Sequence, residues 1–276
     1  MNVKQLFDLT GKVAIVTGGA GLLGPIHAEA ILEAGGSVVL ADINRERQEK
    51  VIDSLRRVFP TQKIFGFPTD VTDKAQVHKL VQQTKEQAGR IDILVNNAAN
   101  NPKVEELKAA AWARFEDFPL ELWQDDLDVG LTGAFLCSQA VGAHMANNGG
   151  GVIVNIASQL GLVAPDHRIY ERPELPPEKQ PIKAASYSGI KAGLISLTRY
   201  LATYWADKNI RANSLTPGGV YNEQDPQFVK NYASRTPLGR MARKDEYKGP
   251  LLFLCSDASS YMTGANLVVD GGWVCW

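Results

Sequence analysis

This 276-residue chain has no long apolar run, no large excess of charge of either sign and only three cysteines. No apolar run approaches the roughly 18 residues that a membrane-spanning helix needs. The formal net charge is −1 and no basic run accompanies it, so the electrostatic footprint of a protein that binds nucleic acid or an anionic membrane is missing. With 45% hydrophobic residues, the chain can still bury a sizeable core. These observations favour a soluble protein that acts on small molecules.

Cysteine usage and the N-terminal residues predict a cytoplasmic location. The three cysteines, Cys137, Cys255 and Cys275, are widely spaced and odd in number, which fits a reducing compartment better than a disulfide framework. We interpret them as small apolar fillers. The N-terminus has neither the apolar core of a signal peptide nor the Arg-rich pattern of a transit peptide. The four histidines show no metal-ligand spacing, so no metal ion is expected.

Strand-like and helix-like segments alternate along the chain. Seven short apolar runs lack polar alternation, which is typical of strands buried on both faces. These runs are Val13–Thr17, Val38–Ala41, Ile64–Phe67, Ile93–Asn96, Val152–Ile156, Ala212–Leu215 and Leu267–Val269. The helix-length periodic segments are Ile26–Ala34, Arg45–Val58, Asp73–Ala88, Leu120–Asn147, Ala185–Ala206 and Asp245–Ser256. The alternation predicts an α/β protein, residues 1–276, with a single-domain Rossmann fold on a doubly wound, mostly parallel seven-stranded sheet.

Two insertions, at about 100–119 and 163–183, are longer than the connections of a regular βαβ unit. Both follow strand ends, where open α/β sheets bind ligands, and long loops in compact domains are commonly functional. The second insertion contains a Pro-rich, charged segment, Pro165–Lys183. It is either a solvated surface loop or a polar lid over a polyhydroxylated or anionic substrate. As a lid, it would place Arg168 or Arg172 against an anionic group.

A cluster of glycines in VAIVTGGAGLLG, from Val13 to Gly24, separates a strand from a helix. It can be threaded as Gly19-x-Gly21-x-x-Gly24 or as Gly18-x-x-Gly21-x-x-Gly24. Both threadings suit a dinucleotide fingerprint, in which glycines let the backbone approach a pyrophosphate at a helix N-terminus. A tight strand-to-helix turn that holds no ligand is the alternative.

An acidic residue, Asp42, lies 18 residues beyond Gly24 at the end of the next strand. A carboxylate at about this place binds the adenosine ribose hydroxyls of a dinucleotide. It would also repel the 2′-phosphate of NADP, so NAD is the predicted cofactor. Capping of the following helix is a second, compatible role for Asp42.

Side chains with catalytic chemistry occur in the second half of the chain. SYSGIK places Tyr187 and Lys191 four residues apart on one face of a long helix, and Ser158 ends the strand in GVIVNIAS. With LTGKVAIVTGG, VNNAA, IRANSLTPGG and TGANLVVDGG in the same order, the chain resembles the classical-type short-chain dehydrogenase/reductase family over nearly its whole length. It is similar to members associated with surface-glycan and flagellin-sugar biosynthesis.

The resemblance implies a catalytic set and a cofactor-binding set. Tyr187 would exchange a proton with the substrate oxygen, Lys191 would lower the pKa of that phenol and hold the nicotinamide ribose, and Ser158 would orient the substrate oxygen. The remaining residues that the resemblance places against NAD are Gly18, Gly21, Leu22, Leu23, Gly24, Asp42, Asp70, Val71, Asn96, Asn97, Pro217, Gly218 and Val220. Asp70 and Val71 would lie at the adenine, and the last three beside the carboxamide.

The chain departs from the family pattern at Gly130, in LDVGLTGAF. The family's asparagine at this place interrupts the long helix, and its backbone carbonyl holds a water next to the active-site lysine. Gly130 keeps the carbonyl and tolerates a helix break; close helix packing is the alternative interpretation. We expect a working enzyme in which Gly130→Asn is tolerated.

The sequence therefore predicts an NAD-dependent oxidoreductase that interconverts a secondary alcohol and a ketone by hydride transfer, on a sugar or sugar derivative. The alternatives are a 3-oxoacyl thioester reductase, which would favour NADPH and an apolar lid, and an NAD-binding protein without turnover. The resemblance also implies a homotetramer assembled through Leu120–Asn147, Ala185–Ala206 and the C-terminal strand. The apolar tail with Trp273 and Trp276 is expected to be buried at a subunit contact.

Overall fold

Seven parallel strands form the central sheet of the part of the chain that the computed structural model describes, residues 2–100 and 114–276. The strands are β1 (Val13–Thr17), β2 (Ser37–Asp42), β3 (Ile64–Pro68), β4 (Ile93–Asn96), β5 (Gly151–Ile156), β6 (Ile210–Pro217) and β7 (Asn266–Val269). Their order is β3-β2-β1-β4-β5-β6-β7, and each pairing is parallel. The predicted fold class, an α/β protein with a doubly wound sheet of seven strands, is confirmed.

Helices cover both faces of the sheet. In chain order they are α1 (Val3–Leu6), α2 (Gly24–Glu33), α3 (Arg45–Val58), α4 (Lys74–Ala88), α5 (Leu120–Leu127), α6 (Gly133–Ala146), α7 (Ala185–Tyr204), α8 (Pro226–Arg235) and α9 (Lys248–Cys255). One apolar cluster joins α2, α3 and α9 to the sheet, and a second joins α4, α6 and α7 to it. The predicted helical segments do not include α8. Asp225 caps α8 and Pro226 occupies its first turn, which together are a start signal.

The strand order reverses between β1 and β4, which lie side by side although they are far apart in sequence. A crevice opens beyond the carboxyl ends of these two strands, because the connections that leave them pass to opposite faces of the sheet. The glycine turn follows β1, and the residues from Asn97 onward follow β4. Both segments therefore begin at this crevice.

The predicted helix Leu120–Asn147 consists of two α-helices, α5 and α6, with a π-helical segment, Asp128–Thr132, between them. Gly130 is buried in this segment. A Cβ at Gly130 would lie 2.7 Å from Cγ2 of Ile190 on α7. The helix is thus interrupted at Gly130, and close packing on α7 explains the glycine. This geometry argues against the expectation that Gly130→Asn is tolerated, because a Cβ at this position would press on a stiff β-branched neighbour.

The second insertion packs on the rest of the protein at its centre. Ile169 is buried in an apolar cluster with Tyr232 of α8 and Trp273. A purely solvated loop is therefore excluded for this part of the insertion. The first insertion falls largely on residues 101–113, which lie outside the described residues.

The C-terminal tail contacts its own chain. Trp273 is 2% exposed, stacks on Tyr232 with 4.3 Å between the ring centroids, and lies beside the guanidinium of Arg235. The expectation that Trp273 is buried at a subunit contact is wrong, because intramolecular contacts already cover it. Trp276 is 73% exposed, and its Nε1 donates to the carbonyl oxygen of Arg235 at 3.2 Å.

The three cysteines are free thiols. Cys137 and Cys255 are buried in the two large apolar clusters, as expected of small core residues, whereas Cys275 is exposed. Within the described residues, no helix is long and apolar enough to cross a membrane. The same residues contain no group of three or more His, Cys, Asp or Glu side chains placed to hold a metal ion.

Candidate active site

A cavity of about 630 Å³ occupies the crevice beyond the carboxyl ends of the strands. Its size is typical of sites for cofactors and small molecules. Following the strand order, Asp70 and Asp42 line it on the β3 and β2 side, and Ser158, Tyr187 and Lys191 line it on the β5 side. The two sets of residues that the sequence singles out therefore meet in one cavity.

The glycine turn bends tightly between β1 and α2. Gly18 has a φ of +59°, in the left-handed region that favours glycine. A Cβ at Gly24 would collide with the carbonyl oxygen of Gly18, and a Cβ at Gly21 would lie 3.1 Å from the same atom. Gly18, Gly21, Leu22 and Leu23 line the cavity, whereas Gly24 supports the turn from outside the lining.

The N-terminus of α2 is suited to an anion. Leu23 at the N-cap makes no side-chain hydrogen bond, and Pro25 in the first turn has no N–H. The other backbone N–H groups of this turn and the positive end of the helix dipole can therefore hold a pyrophosphate. Leu22 and Leu23, directly before this turn, line the cavity.

Asp42 ends β2 and lines the cavity. Its carboxylate accepts hydrogen bonds from the backbone N–H groups of Ala20 and Asn44, both at 2.9 Å. The bond from Ala20 ties the glycine turn to the end of β2, and the carboxylate keeps lone pairs for ribose hydroxyls. The side chain of Asn44, and not that of Asp42, caps α3. The capping role suggested for Asp42 is therefore wrong.

The two asparagines at the end of β4 have different surroundings. Asn97 lines the cavity, and its Nδ2 donates to the carbonyl oxygens of Thr17 and Gly18, both at 3.0 Å. Asn96 is buried outside the cavity lining, and its Nδ2 donates to Oδ1 of Asn155 on β5 at 2.8 Å. Asn96 therefore joins two strands of the sheet, contrary to the prediction that it contacts the cofactor.

The residues after β3 also line the cavity. Oδ1 of Asp70 accepts from the backbone N–H and the hydroxyl of Thr72, at 2.9 Å and 2.7 Å. Val71 packs against Gly133, where a Cβ would lie 2.7 Å from Cγ2 of the valine. The position of Asp70 and Val71 at the β3 side is compatible with contacts to an adenine.

The segment after β6 forms another wall. Pro217, Gly218 and Val220 all line the cavity. The backbone N–H of Gly219 donates to the hydroxyl of Tyr232 on α8. This bond holds the segment against α8 and leaves its backbone facing the cavity.

Ser158, two residues after the end of β5, comes together with Tyr187 and Lys191 of α7, as predicted. The Ser158 hydroxyl accepts from the N–H of Leu160 at 3.2 Å and is hydrogen-bonded to Tyr187. Lys191 is 4% exposed, and its Nζ donates to the carbonyl oxygen of Ile156 at 2.8 Å. The same Nζ lies 5.6 Å from the centroid of the Tyr187 ring. The lysine is thus fixed to the end of β5, beside the tyrosine.

Burial and polar contacts act on the pKa values of this group. Burial raises the pKa of Tyr187, and the hydrogen bond with Ser158 lowers it. Burial, helped by the charge of Lys183, lowers the pKa of Lys191 to about 8. A protonated lysine beside the ring favours the phenolate, so the chain supplies a partner that can offset the effect of burial on Tyr187.

The cavity lining also includes side chains that are not among the predicted site residues, and Lys183, Gln159 and Tyr232 are three of them. Nζ of Lys183 lies 4.2 Å from the centroid of the Tyr187 ring. The hydroxyl of Tyr232 donates to Oε1 of Gln159 at 2.9 Å, which orients this amide beside Ser158. Lys183 lies four residues before Tyr187, and this spacing could have marked it as a candidate site residue. Gln159 and Tyr232 are 73 residues apart, and no sequence pattern links them.

The chain matches two family models. Residues 12–170 match the model described as short chain dehydrogenase, and residues 179–274 match the model described as Enoyl-(Acyl carrier protein) reductase. The chain therefore belongs to the short-chain dehydrogenase/reductase family. It is an oxidoreductase that interconverts alcohols and carbonyl compounds.

Relatives with named activities resemble the chain over nearly its whole length. The NAD-dependent glycerol dehydrogenase of Listeria innocua is 34% identical over 272 residues, which cover 97% of this chain and 95% of that protein. The D-threitol dehydrogenase of Mycolicibacterium smegmatis is 34% identical over 99% of this chain and 96% of its own length. A gluconate 5-dehydrogenase from Burkholderia cenocepacia, solved with NADP and tartrate, has a TM-score of 0.83 at 31% identity and covers 100% of both chains.

Proposed function

We propose that this protein is an NAD-dependent dehydrogenase that interconverts a secondary hydroxyl of a polyol or sugar derivative with the corresponding ketone. The supporting observation is that Ser158, Tyr187 and Lys191 share one cavity with the glycine turn and Asp42. The names of the glycerol and threitol dehydrogenases favour a polyhydroxylated substrate. The similarity to members associated with surface-glycan biosynthesis stays a prediction.

The three side chains divide the work of alcohol oxidation. Tyr187, as phenolate, takes the proton of the substrate hydroxyl while the hydride leaves the carbinol carbon. Ser158 hydrogen-bonds the same substrate oxygen, and Lys191 stabilises the phenolate. A bound nicotinamide dinucleotide supplies the hydride acceptor, and the glycine turn, the first turn of α2 and Asp42 would hold it. In the reductive direction, Tyr187 returns the proton to the substrate oxygen.

A substrate panel tests this proposal. Purified protein is mixed with NAD and with glycerol, threitol, galactitol or a 3-hydroxyacyl thioester, and NADH formation is followed by absorbance. We expect NADH with at least one polyol. Turnover of the thioester alone would favour the reductase alternative. Binding of NADH without turnover of any substrate would favour the alternative of an NAD-binding protein that is not an enzyme.

The preference for NAD rests on Asp42. A carboxylate beside the ribose would repel a 2′-phosphate, and we expect kcat/KM to favour NAD over NADP by at least about tenfold, or about 1.4 kcal/mol. Arg47 also lines the cavity and can attract the same phosphate. The ratio of kcat/KM for NAD and NADP therefore measures whether the repulsion by Asp42 exceeds the attraction by Arg47.

Two variants of Asp42 separate charge from structure. Asp42→Asn removes the charge and keeps one acceptor for Ala20 or Asn44, whereas Asp42→Ala removes both acceptors. We expect both changes to narrow the NAD preference and Asp42→Ala to weaken NAD binding as well. Equal kcat/KM values for the two cofactors in the unaltered protein would contradict this assignment.

We also propose a homotetramer assembled through α5, α6 and α7. Large apolar or aromatic side chains are exposed on these helices, namely Leu120, Phe135, Tyr200 and Tyr204. Exposed apolar patches commonly mark contact surfaces. Trp276 also stays exposed in the single chain, and we expect a subunit contact to cover it.

A further inference from the structure

The arginines of the second insertion are bound to nearby acids. Arg168 is 75% exposed in its side chain and donates from Nε and Nη2 to the carboxylate of Asp166, at 2.8 Å and 2.9 Å. Arg172 lies 3.9 Å from Glu174 and 3.8 Å from Asp225. The expectation that one of these arginines contacts an anionic group of the substrate is therefore not supported.

Lys183, at the end of the same insertion, is placed differently. It is partly buried, lines the cavity and holds its Nζ 4.2 Å from the centroid of the Tyr187 ring. An ammonium has three N–H donors, so Lys183 can bind a ligand oxygen and keep a protein contact. A group held by Lys183 would therefore lie in the cavity close to the ring of Tyr187.

The charges around this end of the cavity favour an anion. Asp166 lines the cavity, but Arg168 and Arg235 each hold its carboxylate at 2.8 Å. Asp126 lies outside the cavity lining. Its negative charge favours the protonated form of Lys183, and its carboxylate accepts a short hydrogen bond from the hydroxyl of Ser186.

Two lysines and no uncompensated carboxylate therefore face the substrate here, among the described residues. The acids that remain in the lining, Asp42 and Asp70, lie at the adenosine side. Lys191 lies farther from the Tyr187 ring, at 5.6 Å from its centroid, and its Nζ donates to the carbonyl oxygen of Ile156. Of the two lysines at this end of the cavity, Lys183 is thus the one placed to contact a negatively charged group of the substrate.

We propose that Lys183 binds a carboxylate of the substrate, so that the enzyme acts on polyhydroxylated carboxylic acids in preference to neutral polyols. This inference rests on the proposed function, and it narrows the substrate class of the same site. A carboxylate fits one ammonium because it carries one negative charge. A phosphate ester carries nearly two and is typically held by several donors.

Matched substrates of equal carbon number test the proposal. The pairs are glycerol and glycerate, threitol and threonate, and galactitol and galactonate, with glycerol 3-phosphate as the phosphate counterpart. We expect kcat/KM to favour the acid by at least about tenfold in at least one pair. Equal use of acid and polyol in every pair that reacts, or preference for the phosphate, would overturn the proposal.

Variants of Lys183 assign the preference to this side chain. Lys183→Met should lower the acid-to-polyol ratio of kcat/KM by about 10-fold to 10²-fold, the range for a hydrogen bond to a charged group. Lys183→Arg should keep most of the preference. Lys179→Met removes a positive charge from an exposed position of the same insertion. It should leave kcat/KM for the acid and for the polyol unchanged. An unchanged ratio in Lys183→Met would show that the lysine acts only on Tyr187.

A binding measurement keeps the two proposals separable. Gluconate is titrated by calorimetry into protein saturated with NADH, where no reaction can occur. We expect binding to the unaltered protein and at least about tenfold weaker binding to Lys183→Met. If no substrate pair reacts but this difference is found, the proposed activity fails while the carboxylate site stands. Equal affinities would overturn the carboxylate site.

Discussion

The proposed proton transfer depends on the hydroxyl group of Tyr187. Tyr187→Phe keeps the ring beside Lys183 and Lys191 and removes the acid/base. We expect kcat to fall by about 10² or more, the low end for removing a general acid/base, with NADH affinity unchanged. Steady-state kinetics and fluorescence titration measure the two quantities. Intact turnover of the true substrate would refute the mechanism.

Gly130 offers a test of close packing. Gly130→Ala should lower the free energy of unfolding by about 1 to 3 kcal/mol, because overpacking forces Ile190 to move. Gly189→Ala, on α7, is the matched control: its Cβ would meet Trp123 at an ordinary 3.5 Å, and alanine should stabilise the helix by about 0.5 to 1 kcal/mol.

A double-mutant cycle completes this comparison. Gly130→Ala combined with Ile190→Ala should cost less than the sum of the two changes, because the shorter neighbour leaves room for the new methyl group. Urea unfolding measures all four proteins. Strict additivity would show that Ile190 is not the obstacle.

His27 makes the stability depend on pH. It is fully buried on α2, neither ring nitrogen has a hydrogen-bond partner among the described residues, and burial lowers its pKa to about 3. The unfolded chain binds a proton below about pH 6.5 that the folded chain refuses. The free energy of unfolding should therefore fall by about 1.4 kcal/mol per pH unit as the pH drops below that value.

A leucine substitution isolates this effect. His27→Leu should show about 2 kcal/mol less loss of stability than the unaltered protein between about pH 7 and about pH 5, measured by urea unfolding. His78→Leu, at an exposed position of α4, should follow the unaltered protein. An identical pH dependence in all three proteins would refute the role of His27.

At the scale of elements, Asp166 fastens the second insertion to α8. Its carboxylate contacts Arg235 of α8 and Arg168 of the insertion, and these contacts help to lower its pKa. Asp166→Asn should loosen the insertion and raise the substrate KM by about tenfold, equivalent to about 1.4 kcal/mol. The NAD affinity should not change, because the glycine turn is untouched.

An arginine variant serves as the control for this prediction. Arg168→Ala removes an exposed ion pair, which contributes little to stability, and leaves the contact between Asp166 and Arg235. Its KM should stay close to that of the unaltered protein. An unaltered KM in Asp166→Asn would show that the insertion does not cover the substrate.

The sequence predicts the elements of the fold well because strand burial and helical periodicity are local. The seven strands, most helices and the pairing of Tyr187 with Lys191 on one helix face follow from such patterns. The meeting of Ser158 with that pair is expected from the family resemblance, because no local pattern links a strand end to a helix about 30 residues further along the chain. The side chains of Asn96 and Lys183 are different, because their surroundings depend on strand register and on the path of a loop. Two adjacent asparagines look alike in VNNAA, and only the pairing with Asn155 shows which one is turned into the sheet.

At the scale of the whole molecule, the homotetramer can be tested by light scattering. We expect a mass about four times that of the 30.1 kDa chain at micromolar concentration. Phe135→Glu, on the exposed face of α6, should yield smaller species, because it places a charge in an apolar contact. Val58→Glu, exposed at the end of α3, is the control and should not. A monomeric mass for the unaltered protein would refute the assembly.

The burial of Trp273 gives the molecule a built-in optical probe. The indole stacks on Tyr232 and lines the cavity, and reduced nicotinamide absorbs light in the range that tryptophan emits. Energy transfer from this indole should therefore quench its emission when NADH occupies the cavity. Trp276→Phe would remove the signal of an exposed indole and sharpen the response. Ligands could then be ranked by titration, without a label and before any substrate is known.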